Sequence, residues 1–172
     1  MKKLKFAIIG CGRISYKHVE AMVNNKDLSE LVATCDVVEE LAIAKKNEYL
    51  TKMEDNSLVL NTYVDYKEML DKEDIDVLII ATESGYHAEI AIYCMNKGKH
   101  VIVEKPMAMS IDDANLMIET AKKNNVKLSV AHQNRFNKPI QKLREAVEEE
   151  HWPYAMDDRI RSWKSLCWMW YL

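Results

Sequence analysis

Short apolar runs alternate along this chain with longer segments in which apolar residues recur every three or four positions. The runs are typical of strands buried on both faces of a parallel sheet, and the longer spacing is typical of covering helices. The pattern predicts strands at residues 4–9, 31–35, 61–64, 77–81, 100–103 and 127–131. It predicts helices at residues 14–24, 37–49, 66–70, 86–96, 111–124 and 139–149. This alternation predicts an α/β fold, a doubly wound parallel sheet with right-handed crossovers.

A glycine turn, GCGRIS from Gly10 to Ser15, joins the first predicted strand to the first predicted helix. In a dinucleotide-binding loop the first glycine permits the tight turn, and the second lets backbone amides approach a pyrophosphate. Gly10 and Gly12 occupy these positions, and Ser15 stands in place of the third glycine. Arg13 and Ile14 open the helix, whose N-terminus favours anions. The turn therefore predicts a Rossmann-type pyrophosphate site at Gly10, Gly12, Arg13 and Ile14.

Asp36 stands at the end of the second predicted strand. A carboxylate there can accept hydrogen bonds from both adenosine-ribose hydroxyls of NAD, and it would repel the 2′-phosphate of NADP. Val37 and Val38 follow it, so no arginine is at hand for that phosphate. The sequence therefore predicts NAD as the cofactor. The alternative is that Asp36 only caps the next helix.

A methyltransferase is the rival interpretation, because it also binds an adenosine over a glycine loop. Such enzymes usually carry an acidic residue two positions before the first glycine. That position is Ile8 in this chain, which disfavours a methyltransferase.

Composition and charge exclude several other classes of protein. A net charge of −3 disfavours nucleic acid as a partner, because phosphate binding needs a basic face. The apolar runs are too short to span a bilayer, and the four cysteines are widely spaced without a CxxC pair. We therefore expect no membrane partner, no metal site and a location in the reducing cytoplasm.

Three stretches resemble the glucose-fructose oxidoreductase, inositol dehydrogenase and rhizopine-catabolism family (Gfo/Idh/MocA). They read FAIIGCG at residues 6–12, ATESGYH at residues 81–87 and GKHVIVEKP at residues 98–106. Their order and spacing match over roughly residues 1–149, and the Glu-Lys-Pro element is more specific than the glycine loop. The resemblance implies an oxidoreductase that transfers hydride between NAD and a hydroxyl of a sugar or nucleotide sugar. The branch that oxidises the 3-hydroxyl of UDP-N-acetylglucosaminuronate looks closest.

The resemblance also assigns roles to residues beyond the loop. It implies that Lys105 is catalytic and lies between nicotinamide and substrate, where an ammonium stabilises a developing alkoxide and can exchange protons. It implies a cis Pro106, and cofactor contacts from Thr82, His87 and Glu104. Without the family, Lys105 would be a solvated loop residue and His87 a polar residue in the first turn of a helix.

Two further residues, Asn134 and Arg135, follow the last predicted strand. In similar proteins this stretch crosses toward the substrate. They are therefore candidates for binding a polar or anionic substrate group. The alternative is an exposed linker.

The pattern changes near residue 150, which predicts a domain at residues 1–150 and an atypical tail at residues 151–172. All four tryptophans lie in that tail, and nothing there matches the second α/β domain expected of the family. We expect that domain to be missing and this chain to bind NAD without turnover. Our hypothesis is that the reading frame shifts near residue 150, and the alternative is a native short protein whose tail packs on the sheet or on another copy in a homo-oligomer. A non-enzymatic NAD-sensing module is the alternative function.

Overall fold

The computed structural model describes residues 2–55 and 58–148. The chain divides into two compact units, Met1–His132 and Gln133–Leu172. The predicted tail, residues 151–172, lies outside the described residues, so the interpretations of that tail and the boundary at residue 150 stay predictions.

A six-stranded parallel sheet forms the centre of the first unit. Its strands are β1 (Leu4–Ile9), β2 (Ser29–Cys35), β3 (Asn61–Tyr63), β4 (Val77–Ile80), β5 (His100–Val103) and β6 (Leu128–Val130). They lie in the order β3-β2-β1-β4-β5-β6, and every neighbouring pair is parallel. The winding reverses between β1 and β4, so the predicted doubly wound Rossmann sheet is confirmed.

Five α-helices connect these strands. They are α1 (Ser15–Asn24), α2 (Glu39–Met53), α3 (Tyr66–Lys72), α4 (His87–Asn96) and α5 (Ile111–Lys123). A 3-10 helix, Ser84–Tyr86, precedes α4, and the second unit contains the 3-10 helix Gln133–Phe136 and α6 (Lys138–Glu148). Within the described ranges, no helix combines the length and hydrophobicity needed to cross a bilayer.

Two apolar cores cover the two faces of the sheet. Successive side chains of a strand point to opposite faces, and Ile8 and Ile9 accordingly lie in different cores. The core beside α3, α4 and α5 includes the fully buried Met117, and the core beside α1 and α2 includes the fully buried Tyr49. Burying one such large side chain stabilises the fold by about 2 kcal/mol. These layers fix the strand ends where the site residues lie.

Local hydrogen bonds explain where helices begin. Asp65 accepts a hydrogen bond from the backbone N–H of Lys67 at 2.9 Å and so caps the N-terminus of α3. The Ser110 hydroxyl oxygen accepts a hydrogen bond from the backbone N–H of Asp113 at 3.1 Å and so caps the N-terminus of α5. The Asp113 carboxylate in turn accepts a hydrogen bond from the Ser110 hydroxyl group, rather than from the Ser110 backbone N–H.

Three helix boundaries differ from the prediction by more than one residue: the start of α2, the end of α2, and the end of α3, which lies at Lys72 rather than at residue 70. Helix α2 begins at Glu39 rather than at residue 37, because the backbone N–H of Val38 donates to Asp36 Oδ1 at 2.9 Å and holds a turn before the helix. It also continues to Met53, and it ends where Glu54 adopts a left-handed conformation with φ of 54°. The predicted end at residue 49 stopped short because Tyr49 is the last large buried residue of the helix.

Candidate functional site

The predicted site residues of the first unit lie at the carboxyl edge of the sheet. Gly10 follows β1, Asp36 follows β2, Thr82 follows β4 and Glu104 follows β5. In an open parallel sheet, ligands bind at this edge, where the strand order reverses. The fold therefore gathers residues from four separate parts of the sequence at the expected binding edge.

The first glycine is required by packing. Gly10 has φ of +92°, and an added Cβ atom would lie 2.5 Å from both the carbonyl carbon of Ala81 and the backbone nitrogen of Thr82. Its N–H donates to the carbonyl oxygen of Cys35 at 2.8 Å. Only glycine fits this conformation and spacing, so the loop turns tightly against the end of β4.

The second glycine faces open space. An added Cβ atom at Gly12 would meet nothing within 4 Å, and the residue is exposed. Ser15, in place of the third glycine, is fully buried, and its hydroxyl donates to the Gly12 carbonyl oxygen at 2.6 Å. Helix α1 begins at Ser15 without a side-chain cap from Ile14. The loop thus leaves room in front of Gly12 at the N-terminus of α1, which suits an anionic group.

The Asp36 carboxylate connects the end of β2 with the glycine loop. Its Oδ2 accepts the backbone N–H of Cys11 at 2.7 Å, and its Oδ1 accepts that of Val38 at 2.9 Å. The side chain is half-buried, and a carboxylate has about four acceptor positions, so it can also accept ribose hydroxyls. Asp36 therefore holds the turn before α2 without capping the helix itself, whose N-cap is Val38, and it also lies beside the glycine loop.

The residues around Asp36 favour a ribose without a phosphate. Val37 is 87% exposed and Val38 is 47% exposed, so the positions after the carboxylate present apolar surface. A 2′-phosphate there would meet a negative charge and no neighbouring cation from these two positions. Together with the open space at Gly12, these residues fit NAD.

Glu104 has a partner that the sequence analysis missed. Its Oε1 lies 3.0 Å from Nε2 of His18, and the two side chains are 5% and 12% exposed. Its Oε2 accepts the backbone N–H of Lys105 at 3.3 Å. Burial lowers the pKa of His18, and the Glu104 charge opposes that shift. The spacing of Ile14, His18 and Met22 along α1, with i,i+4 steps, was the available signal that His18 faces inward.

His87 is buried rather than directed at open solvent. It is 1% exposed, with Nδ1 lying 2.7 Å from the Pro106 carbonyl oxygen and Nε2 lying 3.0 Å from the Thr82 carbonyl oxygen. The imidazole thus connects the loop after β4 with the loop after β5. Both ring nitrogens are engaged by the backbone, so the structure places His87 behind these loops, and its predicted contact with the cofactor stays a prediction.

Lys105 is exposed at the end of β5, and the Lys105–Pro106 peptide bond is cis, as the resemblance implied. Thr82 is half-buried at the end of β4, and its hydroxyl donates to the Glu83 carbonyl oxygen at 3.4 Å. The catalytic assignment of Lys105 and the cofactor contact of Thr82 stay predictions, although both residues lie at the same edge as the glycine loop.

Cys11, inside the glycine loop, is not a reactive thiol. It is 3% exposed, and its Sγ lies 3.6 Å from the Cys35 carbonyl oxygen. Burial, with a smaller contribution from the Asp36 charge, raises the pKa of Cys11 to about 12. Cys11, Cys35 and Cys94 are all buried and free.

The predicted substrate residues belong to the second compact unit. Asn134 and Arg135 lie in the 3-10 helix Gln133–Phe136, and the side-chain carbonyl oxygen of Asn134 accepts a hydrogen bond from the Asn137 amide at 3.1 Å. Asn134 is exposed and Arg135 is half-buried. Their role in substrate binding stays a prediction.

A comparison with models of protein families gives a match that agrees with the fold and with the glycine loop described above. Residues 4–132 match the Gfo/Idh/MocA model, described as an oxidoreductase family with an NAD-binding Rossmann fold. The chain belongs to the Gfo/Idh/MocA oxidoreductase family. Its described first unit is the NAD-binding Rossmann domain of that family, and the predicted fold and cofactor are confirmed.

Individual Gfo/Idh/MocA relatives differ in what they do. Inositol 2-dehydrogenase of Salmonella typhimurium is 30% identical over 146 residues, which are 84% of this chain and 41% of that protein. The α-N-acetylgalactosaminidase of Shewanella oneidensis is 32% identical over 125 residues, which are 72% of this chain and 27% of that protein. The two names describe different reactions. The domain that these relatives share with this chain therefore indicates the cofactor more strongly than it indicates the substrate.

A solved structure gives the match for the fold. The WlbA dehydrogenase from Bordetella pertussis, crystallised with NADH and UDP-GlcNAcA, matches with a TM-score of 0.77 and 33% identity. The match covers 86% of this chain and 42% of that chain. The present chain thus spans about two-fifths of the length of this structure and of the inositol dehydrogenase.

Proposed function

We propose that this chain provides the NAD-binding part of a dehydrogenase that oxidises a hydroxyl group of a sugar or nucleotide sugar. The observation that carries the proposal is the arrangement at the carboxyl edge, where the Asp36 carboxylate accepts the Cys11 N–H of the glycine loop. That contact supports a site in which Asp36 accepts hydrogen bonds from the ribose and the glycine loop holds the pyrophosphate. The substrate class is supported by a neighbour crystallised with NADH and UDP-GlcNAcA and by relatives named inositol dehydrogenases.

NAD, when bound, supplies the hydride acceptor. The chain holds the pyrophosphate with the backbone of Gly12, Arg13 and Ile14 and the adenosine ribose with Asp36, in a space that Gly12 leaves open. In this proposal these residues bind and orient the cofactor, and the Asp36 carboxylate favours NAD over NADP.

Lys105 acts on the substrate side in this proposal. Its exposed ammonium orients the substrate hydroxyl, stabilises negative charge on that oxygen and helps to remove its proton. Asn134 and Arg135 contact a polar or anionic group of the substrate. A nucleotide sugar with a carboxylate, of the UDP-N-acetylglucosaminuronate class, offers such a group.

The cellular setting follows from the cysteines. Cys11, Cys35 and Cys94 are free and buried, which suits a reducing compartment, and we propose the cytoplasm. The predicted homo-oligomer is retained as part of the proposal, and size-exclusion chromatography with light scattering tests it.

Calorimetric titration with NAD, NADP and S-adenosylmethionine tests the cofactor assignment. We expect NAD to bind about tenfold or more tightly than NADP, because Asp36 repels the 2′-phosphate. Binding of S-adenosylmethionine in place of NAD would instead indicate a methyltransferase.

Because the chain is expected to bind NAD without turnover, we expect it to form no NADH from UDP-GlcNAcA or from myo-inositol, and NADH formation would contradict that expectation. If NADH does form, the two substrates test the substrate class, with Lys105→Met as the matched variant. Activity that Lys105→Met abolishes supports the role of the lysine. Activity that survives in Lys105→Met would contradict it, and activity with inositol alone would contradict the nucleotide-sugar assignment.

A further inference from the structure

A buried pair of ionisable side chains at the binding edge joins two elements that are far apart in sequence. His18 and Glu104 are separated by 86 positions, and Nε2 of the histidine lies 3.0 Å from Oε1 of the glutamate. Their side chains are 12% and 5% exposed. A buried carboxylate needs such a partner, because an unpaired charge is costly away from water.

The alternation of strand β5 places Glu104 on the side of α1. Val101 and Val103 lie in the core beside α3, α4 and α5, whereas Ile102 packs against the core beside α1 and α2. The backbone N–H of Glu104 donates to the Ile80 carbonyl oxygen at 2.9 Å, so the residue continues the pattern of the strand. Glu104 therefore falls on the same face as Ile102.

Helix α1 presents His18 to that face. His18 precedes the fully buried Val19 and lies one turn after Ile14, the residue at the N-terminus of the helix. The glycine loop lies just before this first turn of α1, and the space in front of Gly12 is open. His18 thus lies on the helix that directly follows Gly12, Arg13 and Ile14, whose amides form the proposed pyrophosphate site.

The second oxygen of Glu104 completes the connection. Oε2 accepts the backbone N–H of Lys105 at 3.3 Å, while Oε1 faces His18. A carboxylate only accepts, so Nε2 of His18 carries the proton and donates to Oε1. One carboxylate therefore joins the pyrophosphate helix to the peptide of the lysine that the proposed function uses on the substrate.

We propose that His18 and Glu104 form a positioning pair that couples NAD binding at the start of α1 to the position of Lys105. The inference rests on the proposed function, because it gives Lys105 its task. Neither residue of the pair touches the reacting atoms in this account, and both act through Lys105 and α1.

The first test needs no cofactor. In the 20.0 kDa chain labelled with ¹⁵N, the Lys105 amide resonance reports its bond to Glu104. We expect His18→Leu to move this resonance, and His18→Gln, which keeps an N–H donor, to restore most of its wild-type position. Glu20→Gln removes an exposed carboxylate from the same helix and serves as the control. An unmoved Lys105 resonance in folded His18→Leu would overturn the proposal.

The second test measures the coupling to NAD. We expect His18→Leu and Glu104→Gln each to weaken NAD binding by about tenfold, and the double variant to be about as weak as either single variant. NAD should shift the Lys105 amide in the wild type and shift it less in both single variants. Additive losses of affinity with an unchanged shift would overturn the coupling.

The two failures are distinguishable. If the wild-type chain shows no NAD binding at millimolar concentration, the cofactor assignment itself fails, and the cofactor-free resonance of Lys105 still decides whether the pair holds the lysine. If the wild type binds NAD and the variants bind it equally well, the coupling is refuted while the proposed function stands.

Discussion

Two carboxylates at the same edge of the sheet have opposite surroundings. Asp36 is half-buried and accepts hydrogen bonds from two backbone N–H groups, those of Cys11 and Val38. Glu104 is 4% exposed and lies between His18 and the Lys105 peptide. Asp36 can still accept hydrogen bonds from the hydroxyl groups of a ligand, whereas Glu104 is part of the protein interior.

This difference in burial separates a carboxylate that we expect to bind the cofactor from one that we expect to position its neighbours. We expect a half-buried acceptor beside the glycine loop to contribute affinity and selectivity for the cofactor, and its loss leaves polar groups that water can still reach. A buried acceptor contributes to stability and fixes its neighbours, since its loss leaves unpaired polar groups in the interior. Substitutions at the two residues should therefore have different dominant effects.

The largest effect is expected at Glu104. Glu104→Ala leaves the His18 ring and the Lys105 N–H without their acceptor, and we expect the free energy of unfolding to fall by about 3 kcal/mol. Urea denaturation followed by circular dichroism measures this change. Glu20→Gln, which breaks an exposed pair on α1, should change stability by less than about 0.5 kcal/mol. Equal losses in the two variants would contradict the distinction.

The two glycines sharpen the same comparison. Gly10→Ala should destabilise the fold by about 3 kcal/mol, because the new Cβ atom clashes with the end of β4 and the φ of +92° is strained for alanine. Gly12→Ala should leave stability nearly unchanged and weaken NAD binding by about tenfold, since its methyl group enters open space in front of the loop. Thermal unfolding and calorimetry on both variants separate the effects. A Gly10→Ala variant as stable as the wild type would contradict the packing argument.

Asp36 should show the reverse balance from Glu104. Asp36→Ala removes the acceptor for the ribose, and we expect NAD affinity to fall by about thirtyfold, equivalent to about 2 kcal/mol. The lost turn before α2 should lower stability by only about 1 kcal/mol. Calorimetry with NAD and NADP measures both affinity and selectivity. A variant that still prefers NAD over NADP as strongly as the wild type would show that the carboxylate is not the selective group.

The smallest effect concerns pH. Because burial lowers the pKa of His18 below its usual 6.5 despite the facing Glu104 charge, the folded chain binds fewer protons there than the unfolded chain. Stability from this residue is therefore present above the unfolded pKa of about 6.5 and is lost as the pH falls below that value, through the lower pKa of the folded chain. The free energy of unfolding should fall less over that range in His18→Gln than in the wild type. A steeper fall in the variant would contradict the neutral, donating imidazole.

Sequence patterns predicted the sheet because its strands are buried on both faces and read as uninterrupted apolar runs. Asp36 and the glycine loop were predicted for a similar reason, since both follow directly after such strands. The partnership of Glu104 with His18 could not be read in the same way, because the pair spans 86 positions and depends on how α1 lies over the sheet. The burial of His87 was missed because the inward direction of its side chain depends on how α4 packs. Helix α4 also begins at His87, one residue later than predicted.

The most direct test of the account maps NAD onto the free chain by ¹⁵N NMR. The account predicts that the amides of Gly12, Arg13 and Ile14 shift together on titration, along with the Cys11 amide that donates to Asp36. All of these shifts should saturate at one common NAD concentration. Shifts confined to other parts of the chain, or none at millimolar NAD, would contradict the assignment of this edge as the cofactor site.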